Sequence, residues 1–239
     1  MTEARAERGL VAPDGSPVDV YRALPPPIEA DAIHAAIPAG GSILDLGCGT
    51  GRFARAMAAL GHVVVAVDHE PSMLEGLEAV DRVTPILGDL GALDLGRTFD
   101  LVLLASHLVN DNDLGRRALA VARAHVTSDG AVIGEVYPPG LDWAAAVGRR
   151  TTLGPVGITV TRATVRADQL DASVRYDLEG RTWDQRFRAR LLDATALAQR
   201  LGDADLAFDR WLDADRGWFT ARPRQGAGSI STTRADHGQ

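Results

Sequence analysis

The sequence predicts an α/β fold built on a mostly parallel sheet with helices on both faces. Nearly continuous apolar runs recur at His62–Asp68, Phe99–Ala105 and Ala131–Tyr137, which is typical of strands buried on both faces. An earlier strand, Ile43–Leu46, leads directly into a glycine loop, and a helical pattern from Phe53 to Leu60 follows that loop. Strand, glycine turn and helix in this order form a binding site for an adenosine-bearing ligand, because glycines let the backbone approach it closely.

The composition sets limits on the class of protein. A chain of 239 residues fits one α/β domain with a small addition, and its net charge of −7 argues against a nucleic-acid or anionic-membrane partner. All basic residues are arginine, which we interpret as the codon usage of a GC-rich bacterial genome. The single cysteine, Cys48, excludes an internal disulfide and a cysteine-based metal cluster. The amino end lacks the apolar core of a signal peptide, and no run approaches the ~18 apolar residues of a membrane span. We therefore expect a cytoplasmic protein.

The glycine loop does not have the spacing of a dinucleotide site. Gly47, Gly49 and Gly51 give G-x-G-x-G, whereas a dinucleotide loop of the form G-x-G-x-x-G would place its third glycine at Arg52. The strand also carries a carboxylate, Asp45, just before the loop. That carboxylate would repel a pyrophosphate but would attract a sulfonium and an ammonium group. These features favour S-adenosyl-L-methionine and disfavour a nicotinamide dinucleotide.

An acidic residue followed by G-x-G-x-G resembles the first motif of the class I S-adenosylmethionine-dependent methyltransferases. The resemblance is strong from Ser42 to Asp68 and recognisable through Tyr137. It implies a Rossmann-like, seven-stranded, mostly parallel sheet with one antiparallel hairpin strand, and an enzyme that transfers a methyl group by in-line displacement. Short alternating runs between Pro155 and Leu192 resemble the antiparallel β cap of methyltransferases for small molecules, including some amino-sugar N-methyltransferases. We therefore expect a small organic methyl acceptor.

The predicted donor site collects residues from the ends of successive strands. Because ligands of parallel α/β sheets lie at the carboxyl ends of strands, Asp68 is placed over the glycine loop, where it can accept both ribose hydroxyls. By resemblance, His69 and Met73 line the adenine, and Asp89 and Leu90 meet its amino group and a ring nitrogen. Helix packing for Met73 and a turn-capping role for Asp89 remain open alternatives. The predicted cofactor-binding residues are Asp45, Gly47, Cys48, Gly49, Gly51, Arg52, Asp68, His69, Met73, Asp89, Leu90, Ala105 and Ser106.

The predicted catalytic residues are His107 and Tyr21. His107 is the only histidine that the sequence places at the carboxyl end of a central strand, as a base, a hydrogen-bond donor to the acceptor or a packed residue of the donor wall. Tyr21 resembles the amino-terminal tyrosine that many relatives fold over the donor. Arg22 or Arg52 is a candidate partner for the carboxylate of the donor. Three residues at the end of the fifth strand are candidates for the acceptor side, namely Glu135, Tyr137 and Trp143.

Two polar clusters have simpler interpretations. Residues Asn110–Asp113 precede a predicted helix, Leu114–His125, so we interpret them as capping and surface residues rather than metal ligands. We predict no metal site. Arg186, Arg188 and Arg190 alternate with apolar residues along a predicted cap strand, and we favour a solvated face over an anion site for them.

The domain organisation and the alternative functions complete the prediction. We expect a loose arm over 1–17, one methyltransferase domain over 18–224 with its cap at about 155–192, and a flexible tail over 225–239.

A protein of this fold that binds S-adenosyl-L-methionine without methyl transfer, as a sensor or for another reaction, is the first alternative. A nucleic-acid methyltransferase is less compatible, because residues 106–109 lack the [ND]-P-P-[YF] motif. Monomer and homodimer both remain open.

Overall fold

The computed structural model describes residues 10–12 and 15–224 and arranges them as two β-sheets, the larger of which is flanked by helices. Strands are numbered in chain order across both sheets. They are β1 (Ser42–Leu46), β2 (Val63–Asp68), β3 (Val83–Leu87), β4 (Phe99–Leu104), β5 (Val126–Glu135), β6 (Arg150–Leu153), β7 (Val156–Arg166), β8 (Gln169–Leu178), β9 (Arg181–Arg190), β10 (Leu206–Trp211) and β11 (Trp218–Pro223).

The larger sheet has seven strands in the order β10-β11-β5-β4-β1-β2-β3. Only β11 runs antiparallel to its neighbours, β10 and β5, and the remaining pairs are parallel. This arrangement confirms the predicted fold class. It also brings the carboxyl ends of β1, β2, β4 and β5 to one edge of the sheet, where the glycine loop lies.

The central strands are apolar along most of their length because both of their faces are buried, although β1 carries Asp45 and β4 carries Asp100. Leu44, Val65 and Val102 belong to one hydrophobic core, and the alternate positions Ile43 and Val64 belong to a second core on the opposite face. Side chains of a strand alternate between faces, so a strand covered on both sides needs apolar residues at every position.

The helices are mostly short. The helix predicted over Leu114–His125 is confirmed at both ends. The apolar residues Ile28, Ile33 and Ile37 also predict a helix over Ile28–Ile37, but this prediction is wrong at both ends, since only Ala30–His34 is helical. Ile28 lies in a turn and is 89% exposed, so it does not belong to the buried face that Ile33 forms. The helices are α1 (Val18–Ala23), α2 (Ala30–His34), α3 (Arg52–Ala59), α4 (Pro71–Leu74), α5 (Leu114–His125), α6 (Trp143–Ala146) and α7 (Ala194–Asp203).

The fifth strand begins earlier than the sequence indicates. The turn-forming residues Thr127, Ser128, Asp129 and Gly130 predict a turn before a strand that starts at Ala131, but the structure includes them in β5, with an irregular register opposite β4 between Phe99 and Leu101. Gly130 lies tightly against this irregularity, since a β-carbon there would come within 2.9 Å of the Asp100 carbonyl oxygen. The turn-forming residues therefore mark a bulge rather than the start of the strand.

The smaller sheet is antiparallel, with the order β6-β7-β8-β9, and it forms the cap. It spans Arg150–Arg190 and so contains one strand more than the sequence indicates, because all four residues of β6 are exposed and show no alternation. Arg186 and Arg190 pair with Asp171 (2.8 Å) and Asp168 (2.5 Å). The arginine row of β9 therefore faces a row of carboxylates on and beside β8.

The amino-terminal segment is partly described. Residues 10–12 approach 15–17 through a bridge between Val11 and Pro17, and the amide of Val18 donates to the Leu10 carbonyl oxygen (2.9 Å). The predicted tail over 225–239 lies outside the described residues. Among the residues that are described, no helix is long and apolar enough to cross a bilayer.

Candidate functional site

The glycine loop closes tightly onto the second strand. The amides of Gly47 and Cys48 both donate to the carbonyl oxygen of Val67, at 2.9 and 3.0 Å. Gly51 begins α3 with a φ of +77°, and a β-carbon at this position would lie 2.3 Å from Leu77 Cδ2. Glycine is thus required at Gly51 by both its backbone conformation and the packing around it.

Asp68 ties the end of β2 to the loop. Its Oδ2 accepts a hydrogen bond from the Gly49 amide (2.8 Å), and its Oδ1 accepts one from the Glu70 amide (3.0 Å). His69 Nδ1 lies 3.5 Å from Oδ1. Each carboxylate oxygen has a second lone pair, so the capacity to accept further hydroxyl donors remains.

Asp45 is buried beneath the loop with an unsatisfied charge. The residue is 1% exposed, and neither carboxylate oxygen has a hydrogen-bond partner among the described residues. Burial, and then the nearby Asp68 carboxylate, raise the pKa of Asp45 to about 7. The nearby Ala54 backbone amide lowers this pKa slightly, although it forms no hydrogen bond with the carboxylate. An isolated buried carboxylate is unfavourable unless a cation or a donor approaches it.

Two further loop residues have packing contacts. Cys48 is buried, its thiol donates weakly to the Gly49 carbonyl oxygen (3.5 Å), and burial raises the pKa of this thiol well above its ordinary range. The guanidinium of Arg52 lies over the Phe53 ring, 5.0 Å from its centre. Arg52 is the first residue of α3 and lies directly after the glycine loop, as its sequence position indicates.

The four residues predicted to surround the adenine lie in different environments. His69 is half exposed beside Asp68, and Leu90 is buried with its side chain 3.3 Å from the β-carbon position of Gly47. Asp89 is exposed, and its Oδ1 accepts from the Gly91 amide (2.8 Å), as a turn-capping residue does. Met73 is buried in a small cluster with Val18 and Ala12. The capping and packing alternatives for Asp89 and Met73 thus have direct structural support.

The fourth strand ends in an unusual turn. Ala105 is buried, and Ser106 and His107 both have left-handed backbones, with φ values of +55° and +57°. The Ser106 amide donates to Oε2 of Glu135 (2.6 Å), which lies at the end of β5. Non-glycine residues adopt this conformation at a cost, so the surrounding contacts must hold the turn in place.

The turn delivers His107 into an aromatic site. Its ring stacks on Tyr137, with centres 3.9 Å apart, and its Nε2 lies 3.6 Å from Glu135 Oε1. Nδ1 is fully buried and has no partner among the described residues. Burial lowers the pKa of His107 below its ordinary value, and the Glu135 carboxylate offsets only part of this effect. The imidazole is therefore neutral near pH 7.

Tyr21 lies on α1, which bridges the loop and the cap. The Thr50 hydroxyl in the glycine loop donates to the Tyr21 carbonyl oxygen (3.1 Å), and Val20 packs against Trp183 of the cap. Arg22 pairs with Glu75 (2.6 Å). Arg22 is thus engaged by a side chain near α4, which weakens its candidacy as a partner for the donor carboxylate.

Known proteins resemble this chain in both sequence and structure. Residues 43–130 match the family described as a methyltransferase domain. The cypemycin N-terminal methyltransferase from a Streptomyces species is 31% identical over 172 residues, which cover 68% of this chain and 70% of that protein. The chain is a class I S-adenosylmethionine-dependent methyltransferase. Its methyl donor is S-adenosyl-L-methionine, as the glycine spacing and Asp45 predict.

Solved structures show the same fold for this methyltransferase. The CcbJ methyltransferase from Streptomyces caelestis superposes with a TM-score of 0.68 at 22% identity, over 87% of this chain and 96% of that chain. An amino pentose methyltransferase from Micromonospora echinaspora, solved with S-adenosylmethionine, gives 0.63 at 25% identity, over 80% and 87% of the two chains. The predicted fold and enzyme class are confirmed.

The methyltransferase's own residues fit the donor. Apart from Gly49 and its two chain neighbours, no heavy atom of the described residues lies within 4 Å of the β-carbon position of Gly49, so a ligand can approach the backbone there. Asp45 offers a buried carboxylate that lacks a partner, which suits the cationic end of S-adenosyl-L-methionine. When bound, this donor supplies an electrophilic methyl group on its sulfonium. Among the described residues, no group of three or more His, Cys, Asp and Glu side chains is placed to hold a metal ion.

Sequence reasoning missed two cap residues that face the site. Tyr176 on β8 is close enough to Tyr21 and Tyr137 to raise its pKa, together with the larger effect of burial, and its hydroxyl donates to Gln185 Oε1 (3.1 Å). All three tyrosines of the chain therefore meet in one place. The alternation along β8 was a usable signal, because Tyr176 follows the buried Ala172 and Val174 on the same face.

A cavity of about 460 Å³ lies behind Tyr137. Its walls are the segment from Tyr137 to Trp143, the β7–β8 turn at Asp168, the end of β9 and the first turns of α7. No residue of the glycine loop lines it, so it is not the donor site.

Proposed function

We propose that this methyltransferase transfers the methyl group to an amino group of a small organic acceptor at the carboxyl ends of β4 and β5. The observation that carries the proposal is the half-buried Glu135 carboxylate, held by the Ser106 amide (2.6 Å) beside the neutral His107. A carboxylate in such a position attracts an ammonium group more strongly than it would in water. A neutral alcohol or carbon acid is not attracted to the carboxylate in this way, because it carries no positive charge.

The relatives support an amine acceptor. The curated relative is named for the N-terminus of cypemycin, and one solved neighbour is an amino pentose methyltransferase. A peptide N-terminus and an amino sugar share a basic amine next to polar groups. We infer the same class of acceptor here and no nucleic-acid acceptor, in keeping with the net charge of −7.

The amine must lose a proton before it can attack the methyl group. His107 is placed to accept this proton, since its pKa is lowered by burial and the ring is neutral. Glu135, 3.6 Å from Nε2, then stabilises the imidazolium that forms. Tyr21, Tyr137 and Tyr176 surround the acceptor and exclude water, and the remaining acceleration comes from holding the amine in line with the methyl group.

On the donor side, we assign each role to residues with the matching chemistry. Asp68 accepts the ribose hydroxyls with its free lone pairs, and Asp45 stabilises the cationic end of the donor. The backbone of Gly47 to Gly51 follows the donor closely. His69 and Leu90 flank the adenine, while Met73 and Asp89 support this wall from behind through their packing and turn-capping contacts.

The test is a panel of acceptors in matched pairs that differ only in an amine or a hydroxyl, with release of S-adenosylhomocysteine as the readout. We expect turnover of amines alone, and Glu135→Gln should raise the amine KM about tenfold or more through the lost charge. Glu78→Gln is the matched control, because Glu78 is an exposed glutamate outside the residues that we assign to the donor and acceptor sites. Preferential turnover of the hydroxyl partners, or an unchanged KM in Glu135→Gln, would contradict the proposal.

A further inference from the structure

Asn110 lies three residues after His107 and is completely buried. It ends a single 3₁₀ turn, Leu108–Asn110, that follows His107. Interpreting it as a surface residue was therefore wrong, although the same interpretation holds for Asp111, whose Oδ1 accepts from the Leu114 amide at the start of α5 (2.7 Å). A sequence of four polar residues gave no sign that one of them points inward.

Both halves of the Asn110 side-chain amide are used. Its Nδ2 donates to the Arg190 carbonyl oxygen at the end of β9 (2.7 Å), and its Oδ1 accepts from the Tyr137 amide just after β5 (3.2 Å). Its backbone amide donates to the His107 carbonyl oxygen (2.8 Å). Asn110 thus connects three parts of the chain, namely the turn that carries His107, the segment directly after β5 and the last residue of the cap strand β9.

Two of these three hydrogen bonds go to the backbones of His107 and Tyr137, the residues whose rings stack. The His107 backbone is left-handed, and its ring lies only 3.9 Å from the Tyr137 ring. Such a turn keeps its geometry only when its neighbours fix it. Asn110 is hydrogen-bonded to the backbone of both ring residues, because its own amide donates to the His107 carbonyl oxygen and its Oδ1 accepts from the Tyr137 amide.

We propose that Asn110 is a positioning residue for methyl transfer, which fixes the His107–Tyr137 ring pair to the end of the cap strand β9 and so sets the width of the acceptor site. This inference rests on the proposed function for the identity of the acceptor site. It goes beyond that function because it assigns to a residue that does not touch the acceptor the role of placing the cap relative to His107 and Tyr137.

A buried arginine reinforces the same turn from the other side. Arg200 on α7 is 4% exposed, and its Nη1 donates to the carbonyl oxygens of Val109 (2.5 Å) and Asp111 (2.8 Å). These two carbonyls flank Asn110 in the sequence. Arg200 therefore fixes the backbone on both sides of Asn110, and the Asn110 side chain fixes this turn relative to the end of the cap strand β9.

Asn112 provides a matched control. It is the same residue type on the same loop, and its Nδ2 donates to Gln169 Oε1 of the cap (3.1 Å). Unlike Asn110, it is exposed, and this side-chain hydrogen bond joins it to the cap and not to His107 or Tyr137. Asn112→Ala therefore removes a loop-to-cap hydrogen bond and leaves the ring pair untouched.

The first readout needs no acceptor. NMR signals of the His107 ring, assigned by their loss in His107→Gln, should move out of the shielded region in Asn110→Ala, because the Tyr137 ring shifts away. The pKa of His107 should also rise toward its ordinary value as the ring becomes solvated. Asn112→Ala should reproduce the native shifts. Native His107 shifts and titration in Asn110→Ala would overturn the proposal, whatever the acceptor is.

The second readout separates positioning from a general loss of structure. With an amine acceptor, Asn110→Ala should lower kcat/KM about tenfold or more, while the Kd for S-adenosyl-L-methionine stays native. Asn110→Asp keeps the acceptor for the Tyr137 amide and loses the donor to Arg190, and it preserves the side-chain shape if Asn110→Ala does not fold. An equal loss of donor affinity and turnover in the folded variant would show a structural role only.

Discussion

Two glycines of the donor loop should respond oppositely to the same mutation. Gly49 and Gly51 both have left-handed backbones, with φ values of +54° and +77°. The surroundings differ, because the β-carbon position of Gly49 is open, whereas that of Gly51 lies 2.3 Å from Leu77 Cδ2. We therefore expect Gly49→Ala to impair donor binding with the smaller loss of stability, and Gly51→Ala to destabilise the fold more strongly.

The magnitudes follow from two separate contributions. A left-handed backbone costs an alanine roughly 1–2 kcal/mol, and both variants incur this. Overpacking adds about 1–3 kcal/mol in Gly51→Ala only, because Leu77 is fully buried and cannot turn toward solvent. The expected losses in the free energy of unfolding are thus about 1–2 kcal/mol for Gly49→Ala and about 2–5 kcal/mol for Gly51→Ala.

Urea unfolding and calorimetric titration with S-adenosylhomocysteine would measure the two effects separately. Gly61→Ala is the control, because Gly61 has a φ of +93° with an open β-carbon position and lies outside the loop. Gly61→Ala should have the same free energy of unfolding as Gly49→Ala, and it should bind S-adenosylhomocysteine with the affinity of the native enzyme. If Gly49→Ala binds the ligand as well as Gly61→Ala does, the donor does not pass over Gly49 and our site geometry is wrong.

Three further predictions concern ionisable residues. Asp68→Ala should weaken donor binding by at least about 1.5 kcal/mol in a calorimetric titration, since it leaves ribose hydroxyls and the Gly49 amide unpaired. Because the pKa of Asp45 is about 7, its ionised form increases above that pH, so the Kd of the cationic donor should fall between about pH 6 and 8, and Asp45→Asn should abolish this dependence. Burial, and then the neighbouring His34, lower the pKa of His62, so the folded state binds fewer protons there and the midpoint of thermal unfolding should drop as the pH falls below 6.5. A midpoint that rises on acidification down to about pH 5 would contradict the His62 assignment.

Much of the fold was readable from the sequence because the signals are local. Buried parallel strands need apolar residues at every position, and the runs ending at Asp68 and Leu104 show this directly. Where the local signal was absent or ambiguous, the prediction was wrong. The exposed strand β6 has no alternation, and the turn-forming residues 127–130 lie within a bulged strand.

The donor site was predicted more completely than the acceptor site. Its loop, Asp45 and Asp68 lie within one β-α-β segment, so their relative placement follows from the connection itself. The acceptor wall is assembled from distant segments. Asn110 and its partner Arg190 are 80 residues apart, and Tyr176 reaches the site only because the cap folds back over the sheet.

The sequence by itself determined the class of enzyme and the methyl donor. Glycine spacing and a strand-end carboxylate are local features, and their chemistry depends little on the rest of the chain. Only the tertiary structure decided that neither Asp45 carboxylate oxygen has a hydrogen-bond partner among the described residues, that His107 stacks on Tyr137, and that Asn110 is buried. Burial and the meeting of distant side chains set these properties, and both arise from packing between elements that are separated in the sequence.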